Sequence, residues 1–282
     1  LYSSAASDVY KRQVVPMTSA SAKFPGFDGD TRTSNLYGGF AGGWANEDSD
    51  LSIEHVRLKM LTLRARKLGV VTQVSNELVA DGLGFEMQLG EAITRALSFF
   101  LDDSFFNGNG ANRPQGVIGA PCTISVAKET NQAAATINYS NISKMFARLL
   151  PGSHGNAIWV ANSTCIPQLL ELAVPIGTAG SHVPVLQQAG GGWSLLTRPI
   201  LFSEKVPTVG TRGDIGLYDF SQYLVGLRAD VTLDKSAHVG FVSDVATYRA
   251  TIRVDGMPRL TAPVQPKNGS TLSAFTVLDT RA

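Results

Sequence analysis

The stretch LVADGLGFEMQLGEAITRALSFFLDDSFF, residues 78 to 106, sets the first constraint on this chain. Phe85, Leu89, Ile93, Leu97 and Phe100 or Leu101 recur three and four positions apart, the spacing of one face of an α-helix. Asp81 stands where a side-chain cap would open the helix, and Gly108 where a left-handed residue would close it. A helix over 83–106 is roughly 36 Å long at about 1.5 Å per residue. Such a rod needs a second layer to cover its apolar stripe, and Leu89, Ile93 and Leu97 are expected to face a sheet.

The helix runs into FFNGNGANRPQGVIG, residues 105 to 119, whose glycines invite a phosphate-loop reading. A P-loop needs the Gly-Lys-Ser/Thr that opens a helix, and a dinucleotide loop needs GxGxxG between strand and helix. Here Gly108 and Gly110 follow a helix and Gly116 follows Pro114. The local chemistry instead predicts a C-cap at Asn107-Gly108 and a turn at Asn109-Gly110. A type I turn is expected next, with Pro114 second and Gly116 fourth. These residues carry the chain out of the helix and hold no ligand.

Upstream, residues 14–50 combine glycines and prolines with isolated aromatics, including Phe27, Phe40 and Trp44, and read as an extended arm or long hairpin. From Ile53 to Asn76 apolar and polar residues alternate, with a phase slip at Met60-Leu61 that predicts a bulge between long strands. Downstream, the pattern gives a helix at 140–150, a strand in NAIWVAN (156–162) and a helix from Asn162 or Ser163 through Leu172. A Gly-rich, nearly uncharged loop is expected at 175–193. Strands follow at about 195–203, 214–218 and 222–226. The alternation from Ala229 to Leu260 fits two strands or a strand and a helix, and 265–282 reads as a polar tail with one apolar patch, AFTVL. Residues 1–13 have no apolar periodicity; SDVYKRQ resembles translated adaptor sequence, and a flexible tail fits equally. The fold class is α+β.

Hydrophobic residues make up 44% of the chain, ample for a core. Lys and Arg number 24 against 23 Asp and Glu, so the net charge of +1 supplies no global field toward nucleic acid or an anionic membrane. No apolar run reaches the length of a membrane span, and no membrane partner is expected. Cys122 and Cys165 lack CxxC spacing and read as buried thiols. His55, His154, His182 and His238 form no metal-binding pattern, and Ser153-His154 lacks the surroundings of a catalytic pair. The sequence therefore offers no catalytic, cofactor-binding or metal-binding residues, and a non-enzyme is expected.

One charged constellation survives. Arg57, Lys59, Arg64, Arg66 and Lys67 lie close together, and no acid occurs from His55 through Asn76. As a nucleic-acid track this stretch lacks interleaved aromatics for base stacking. The preceding arm carries Asp28, Asp30, Glu47, Asp48 and Asp50. An acidic arm beside a basic stretch suits a subunit that grips its neighbour. The expected intersubunit residues are Phe27, Phe40, Trp44, Asp48, Asp50, Arg57, Lys59, Arg64 and Arg66.

VSNELVADG (74–82) before the long helix, FFNGNGANRPQGVIG after it, AIWVANSTCIPQLLEL (157–172) and RPILFSEKVP...GDIGLYDFSQYLVGLRADVTL (198–233) occur in that order. The order resembles that of the major capsid proteins of tailed phages, the Hong Kong ninety-seven type. The resemblance spans about 20–265. It implies an N-terminal arm and extended loop over 14–66, and a peripheral domain from 67–119 and 227–264 with the long helix. It further implies an axial domain at 120–226. Such subunits form pentamers and hexamers that close an icosahedral shell around double-stranded DNA, assembled in the host cytoplasm. Self-association would be joined by weak DNA contacts and by scaffold, portal, protease and decoration proteins. Encapsulins, cellular nanocompartment shells, resemble the same fold and are the alternative; a soluble nucleic-acid-binding module is the more distant one. Some relatives cross-link a loop lysine to a neighbour's asparagine. This chain has no lysine between Lys23 and Lys59, so a non-covalent shell is expected.

Overall fold

The structure, a computed structural model of the chain, describes residues 14–32, 37–40, 44, 55–176, 181–189 and 192–282. Its elements run β1 (Val14–Pro16), β2 (Ser21–Phe27), β3 (Leu58–Arg64), β4 (Arg66–Ser75), α1 (Asn76–Asp81), α2 (Phe85–Asn107), β5 (Ile124–Val126) and α3 (Tyr139–Ala147). There follow β6 (Ile158–Ala161), α4 (Ile166–Glu171), β7 (Ala173–Ile176), β8 (Ser181–Pro184), β9 (Leu186–Ala189), β10 (Gly192–Leu195) and β11 (Arg198–Phe202). β12 (Ile215–Tyr218), β13 (Tyr223–Gly240), β14 (Val245–Pro258) and β15 (Phe275–Leu278) complete the chain. Contacts divide it into two units.

The first unit holds the described residues through Ala22, with Thr62–Gly116 and Leu224–Met257. Its sheet has the order β1-β13-β14-β4. β1 runs parallel to β13, and β14 runs antiparallel to β4 from Val245↔Ser75 to Val254↔Arg66. The alternation from Ala229 onward thus resolves into two strands. They are joined by a 3-10 turn, Phe241–Ser243, and by Asp244 in the left-handed region at φ 48°. Ala246, Tyr248, Ala250, Ile252 and Val254 are buried, and they pair directly with Val74, Thr72, Val70, Leu68 and Arg66 on the same face. The Tyr248 hydroxyl on that face donates to Glu86 in the first turn of α2 at 2.9 Å, and Lys235 of β13 holds the same carboxylate at 2.6 Å. These bonds hold Glu86 below the ordinary carboxylate range, the Lys235 bond contributing most.

α2 runs Phe85–Asn107 rather than 83–106, and Asp81 does not cap it. Asp81 instead ends the separate helix α1, capped by the Ser75 hydroxyl, and Gly84 at φ 71° turns the chain into α2. The expected phase slip at Met60-Leu61 falls at Ala65 instead, where β3 gives way to β4 and the Ala65 amide donates to Ala20 O at 2.9 Å.

The second unit holds Lys23–Leu61, Val117–Tyr223 and Pro258–Ala282. Residues 23–61 and 258–264 thus cluster apart from the remainder of the segments the resemblance assigned them to. The main sheet has the order β5-β15-β12-β6-β11-β10-β9. Ile142, Met145 and Leu149 from α3 and its exit, Leu169 of α4, and Trp159, Ile215 and Leu217 of the sheet form one buried cluster. Each such side chain contributes roughly 1.5–3 kcal/mol on burial. Asn141 side-chain Oδ1 accepts the Asn138 amide at 3.0 Å and closes the start of α3.

Two expectations are corrected here. The Gly-rich 175–193 segment, expected as a loop, carries strands paired antiparallel, β7 with β8 and β9 with β10. The segment 265–282 is no polar tail. β15 lies between β5 and β12 with all four residues buried, since its apolar patch pairs on both edges.

Candidate assembly surface

β2 and β3 form a ribbon of only two strands. Along it side chains alternate between a covered face and an open one. The open face presents Phe27, Leu58 and Met60, 63%, 62% and 61% exposed, with Val56 alongside. The arm aromatics Phe27 and Phe40 sit 6.0 Å apart between ring centroids, both exposed, and Trp44 is fully exposed. Gly38 is required at the fold of this loop. Its φ is +94°, and an added Cβ would press on Arg57 O and Phe27 Cβ, both at 3.1 Å. The Arg57 amide donates to Gly38 O, and the Asp28 amide donates to Arg57 O.

Lys59 was expected to meet another copy. The structure places its ammonium 2.6 Å from Asp30 Oδ2 and 3.6 Å from Asp28 Oδ1 in the same chain. The two carboxylates lie three and one residues past β2, where the chain passes back beside β3. Partial burial works against the ammonium, but the hydrogen bond and charge of Asp30, with Asp28 beyond, hold its pKa above the ordinary lysine value. Asp30 also takes the Thr261 hydroxyl at 3.3 Å, and its carbonyl accepts the Gln265 amide. Two of the five arm acids are therefore already paired within the subunit.

The remaining basic residues separate. Arg57 and Arg64 are exposed, and Arg66 is half-buried with Nη2 donating to Gly110 O at 3.1 Å. Arg66 Nε is buried with no acceptor among the described residues. Arg64, Arg66, Gln115 and Asp255 line a cavity of about 260 Å³ in the first unit, where Asp255 Oδ2 accepts the Arg64 amide at 2.6 Å. Asp48 and Asp50 lie outside the described residues.

On α2, Ile93 and Leu97 are buried together with Phe105 and Phe106, Phe85 and Leu89 are half-buried, and Phe100 is 48% exposed. Phe100 is thus no core residue. A helix turns about 100° per residue, so Phe100 follows Phe99 onto the open side, where their rings meet edge to face at 5.9 Å. Sequence reasoning missed Phe105 and Phe106, although they sit three and four positions past the buried Asp102.

The turn after α2 is correctly located, but its geometry differs from expectation. Gly108 is extended, at φ −63° and ψ 146°, not left-handed. It must be glycine because an added Cβ would lie 2.0 Å from Pro114 O. Gly110 is left-handed at φ +72°, with the Asn109 side chain accepting the Ala111 amide. No type I turn closes at 113–116. The Gly116 amide donates instead to Gly108 O at 2.8 Å, folding the loop back against the helix end.

The cysteines are inert: burial pushes both the Cys122 and Cys165 thiols up to about 12. His154 packs on Phe146 with ring centroids 4.7 Å apart. Among the described residues no group of His, Cys, Asp or Glu is arranged to hold a metal, and no helix is long and apolar enough to cross a membrane. What this surface can do is bind protein, through an apolar ribbon face and charged recesses.

The chain thus combines a long helix against a four-stranded sheet, a two-stranded ribbon and an α/β unit. The family-level comparison matches the Phage capsid family over residues 4–268, and the chain belongs to that family. It is a structural major capsid protein, placed by its family in the virion capsid. Among solved structures it is similar to a "Capsid of native GTA particle computed with C5 symmetry", at 19% identity and TM-score 0.74. That match covers 100% of this chain and 93% of the other. A structure from Mycobacterium phage Adephagia matches at 14% identity and TM-score 0.64, covering 96% and 88%. One from Microbacterium phage Oxtober96 matches at 14% and 0.64, covering 98% and 90%. At these identities the structural likeness speaks to fold, and that fold is of the type the sequence resemblance implied. No curated protein matches the chain.

Proposed function

We propose that copies of this chain assemble into pentamers and hexamers that close an icosahedral shell around double-stranded DNA, in the cytoplasm of a bacterial host. Scaffold, portal, protease and decoration proteins are the partners such a shell would use. The subunit performs no catalysis in this reading.

The observation that carries it is the open face of the β2–β3 ribbon. A two-stranded ribbon alone is marginally stable in water, and this one leaves Phe27, Leu58 and Met60 more than half exposed. Exposed large apolar side chains grouped on one face mark a protein contact, and a shell of identical subunits supplies that contact to every copy.

The test is expression of the chain, alone and together with a scaffold protein, followed by negative-stain imaging and sedimentation. Closed shells of uniform diameter are expected, and particles recovered from an infected host should carry nuclease-protected DNA. A strictly monodisperse monomer across salt and protein concentration would overturn the reading.

A further inference from the structure

Asparagine followed by glycine occurs three times in the chain, at Asn107-Gly108, Asn109-Gly110 and Asn268-Gly269. The pairing is chemically unstable because glycine has no Cβ to keep the asparagine carboxamide away from the backbone nitrogen that follows it. Whether the two groups meet depends on what else holds them, and the fold treats the three pairs differently.

At the exit of α2 both groups are engaged. Asn107 Nδ2 donates to Asp103 Oδ1 at 2.8 Å, and the Gly108 amide donates to Ser104 O at 2.9 Å. Asn109 Oδ1 accepts the Ala111 amide at 3.1 Å, and the Gly110 amide donates to Pro114 O at 3.3 Å. Asn268 and Gly269 stand instead at the apex of a loop closed by the paired backbones of Val264 and Leu272, at 2.7 and 2.8 Å. Both are exposed, and among the described residues neither the Asn268 side chain nor the Gly269 amide has a hydrogen-bond partner. Gly269 is left-handed at φ +97°, and a Cβ built on it would meet nothing within 4 Å. The loop is tied down at its base, by Gln265 to Asp30 and by Thr271 to Arg148, and its tip is open to solvent.

We propose that Asn268 is a site of spontaneous covalent modification, converted in the folded protein to aspartate and isoaspartate while Asn107 and Asn109 are kept intact. The Gly269 nitrogen loses its proton to solvent and bonds to Asn268 Cγ. The Cγ–Nδ2 bond breaks, ammonia leaves, and a succinimide ring is closed. Water then opens the ring at one of its two carbonyls. Attack at Cγ leaves aspartate, and attack at the backbone carbonyl leaves isoaspartate, with the main chain rerouted through the side chain. In the locked pairs two hydrogen bonds must be given up before the ring can close, and a donated N–H is slower to lose its proton, so each reacts about tenfold or more slowly. With one acid more than the 23 encoded, the formal net charge falls from +1 to zero, so older copies are marked by their charge.

The experiment holds the purified chain warm at mildly alkaline pH, with a parallel sample in guanidinium. Aliquots are digested at acid pH, where ring closure is suppressed, and each asparagine is followed by fragmentation mass spectrometry. In the folded chain Asn268 should convert about tenfold faster than Asn107 or Asn109. In guanidinium the three rates should converge, because the locks are gone. Equal rates in the folded chain, or an Asn268 no faster than the other two, would overturn the proposal. On isoelectric focusing an acidic species should grow in wild type and be lost in Asn268→Ser, an exposed substitution outside every strand and helix. Unchanged acidification of that variant would place the modification elsewhere and refute the site. Isoaspartate at 268, read by labelling with a protein-isoaspartate methyltransferase, should accompany the aspartate. Aspartate alone would mean direct hydrolysis and would remove the ring closure on which the proposal depends.

Discussion

Asp214 and Arg281, 67 positions apart, form a fully buried ion pair in the second unit, with Arg281 Nη1 donating to Asp214 Oδ1 at 3.2 Å and Nη2 donating to Oδ2. The carboxylate also accepts the amides of Gly210 and Ile215, at 2.8 and 2.9 Å. The Arg281 backbone donates to Gly210 O and accepts from Ala135. The pair thus ties the segment after β15 to the loop before β12. Arg281→Met would leave the Asp214 charge buried without its counter-ion, a loss of about 3–5 kcal/mol. Denaturant unfolding followed by tryptophan fluorescence should show a marked shift to lower midpoint, with partial recovery when Asp214→Asn is added. An unchanged midpoint would mean that the amide bonds to Asp214 suffice.

The glycines around the helix exit differ in what they tolerate. Gly116→Ala would drive a Cβ to 2.4 Å from Phe106 O, and Gly108→Ala to 2.0 Å from Pro114 O, both backbone atoms that cannot yield without opening the turn. Little folded protein is expected from either. Gly90→Ala, in the interior of α2 with nothing within 4 Å, should stabilise by about 0.5–1 kcal/mol. Equal yields and thermal midpoints for all three would contradict the close approaches described for this loop.

Ile93 and Phe100 should separate folding from assembly. Ile93→Asp places a carboxylate at a position 5% exposed, at a cost of several kcal/mol, and should send the subunit to the insoluble fraction. Phe100→Ser changes a side chain 48% exposed and should leave the unfolding midpoint within about 0.5 kcal/mol of wild type. Soluble, assembling Ile93→Asp protein would show that the helix buries another face.

Mature particles are expected to be free of covalent cross-links between subunits. Lys59 is the lysine nearest the loop tip on the β3 side, and its ammonium is committed to Asp28 and Asp30 with a raised pKa, leaving little free amine. Arg32 cannot substitute, because its guanidinium stays protonated. Boiled in denaturing detergent, particles assembled from this chain should run as a single species near its mass of 30.0 kDa. A reductant-resistant ladder of multiples would overturn this.

Local regularities of the sequence determined the long helix and the position of the glycine turn, and narrowed 229–260 to two strands or a strand and a helix. Each depends on residues close in the chain: a 3.6-residue or 2-residue period and residues that tolerate a sharp bend. The pairing of distant segments was decided only in three dimensions. AFTVL reads locally as a patch in a polar tail, but two strand edges from far upstream make Phe275–Leu278 core. Lys59 reads as one of a basic cluster, but the fold of the ribbon loop delivers Asp28 and Asp30 to it first. Phe100 shares the helical spacing of Ile93 and Leu97, but the sheet covers a narrower stripe than that spacing permits. Periodicity fixes which residues share a face, whereas the burial of a face depends on contacts whose partners lie tens to hundreds of residues away.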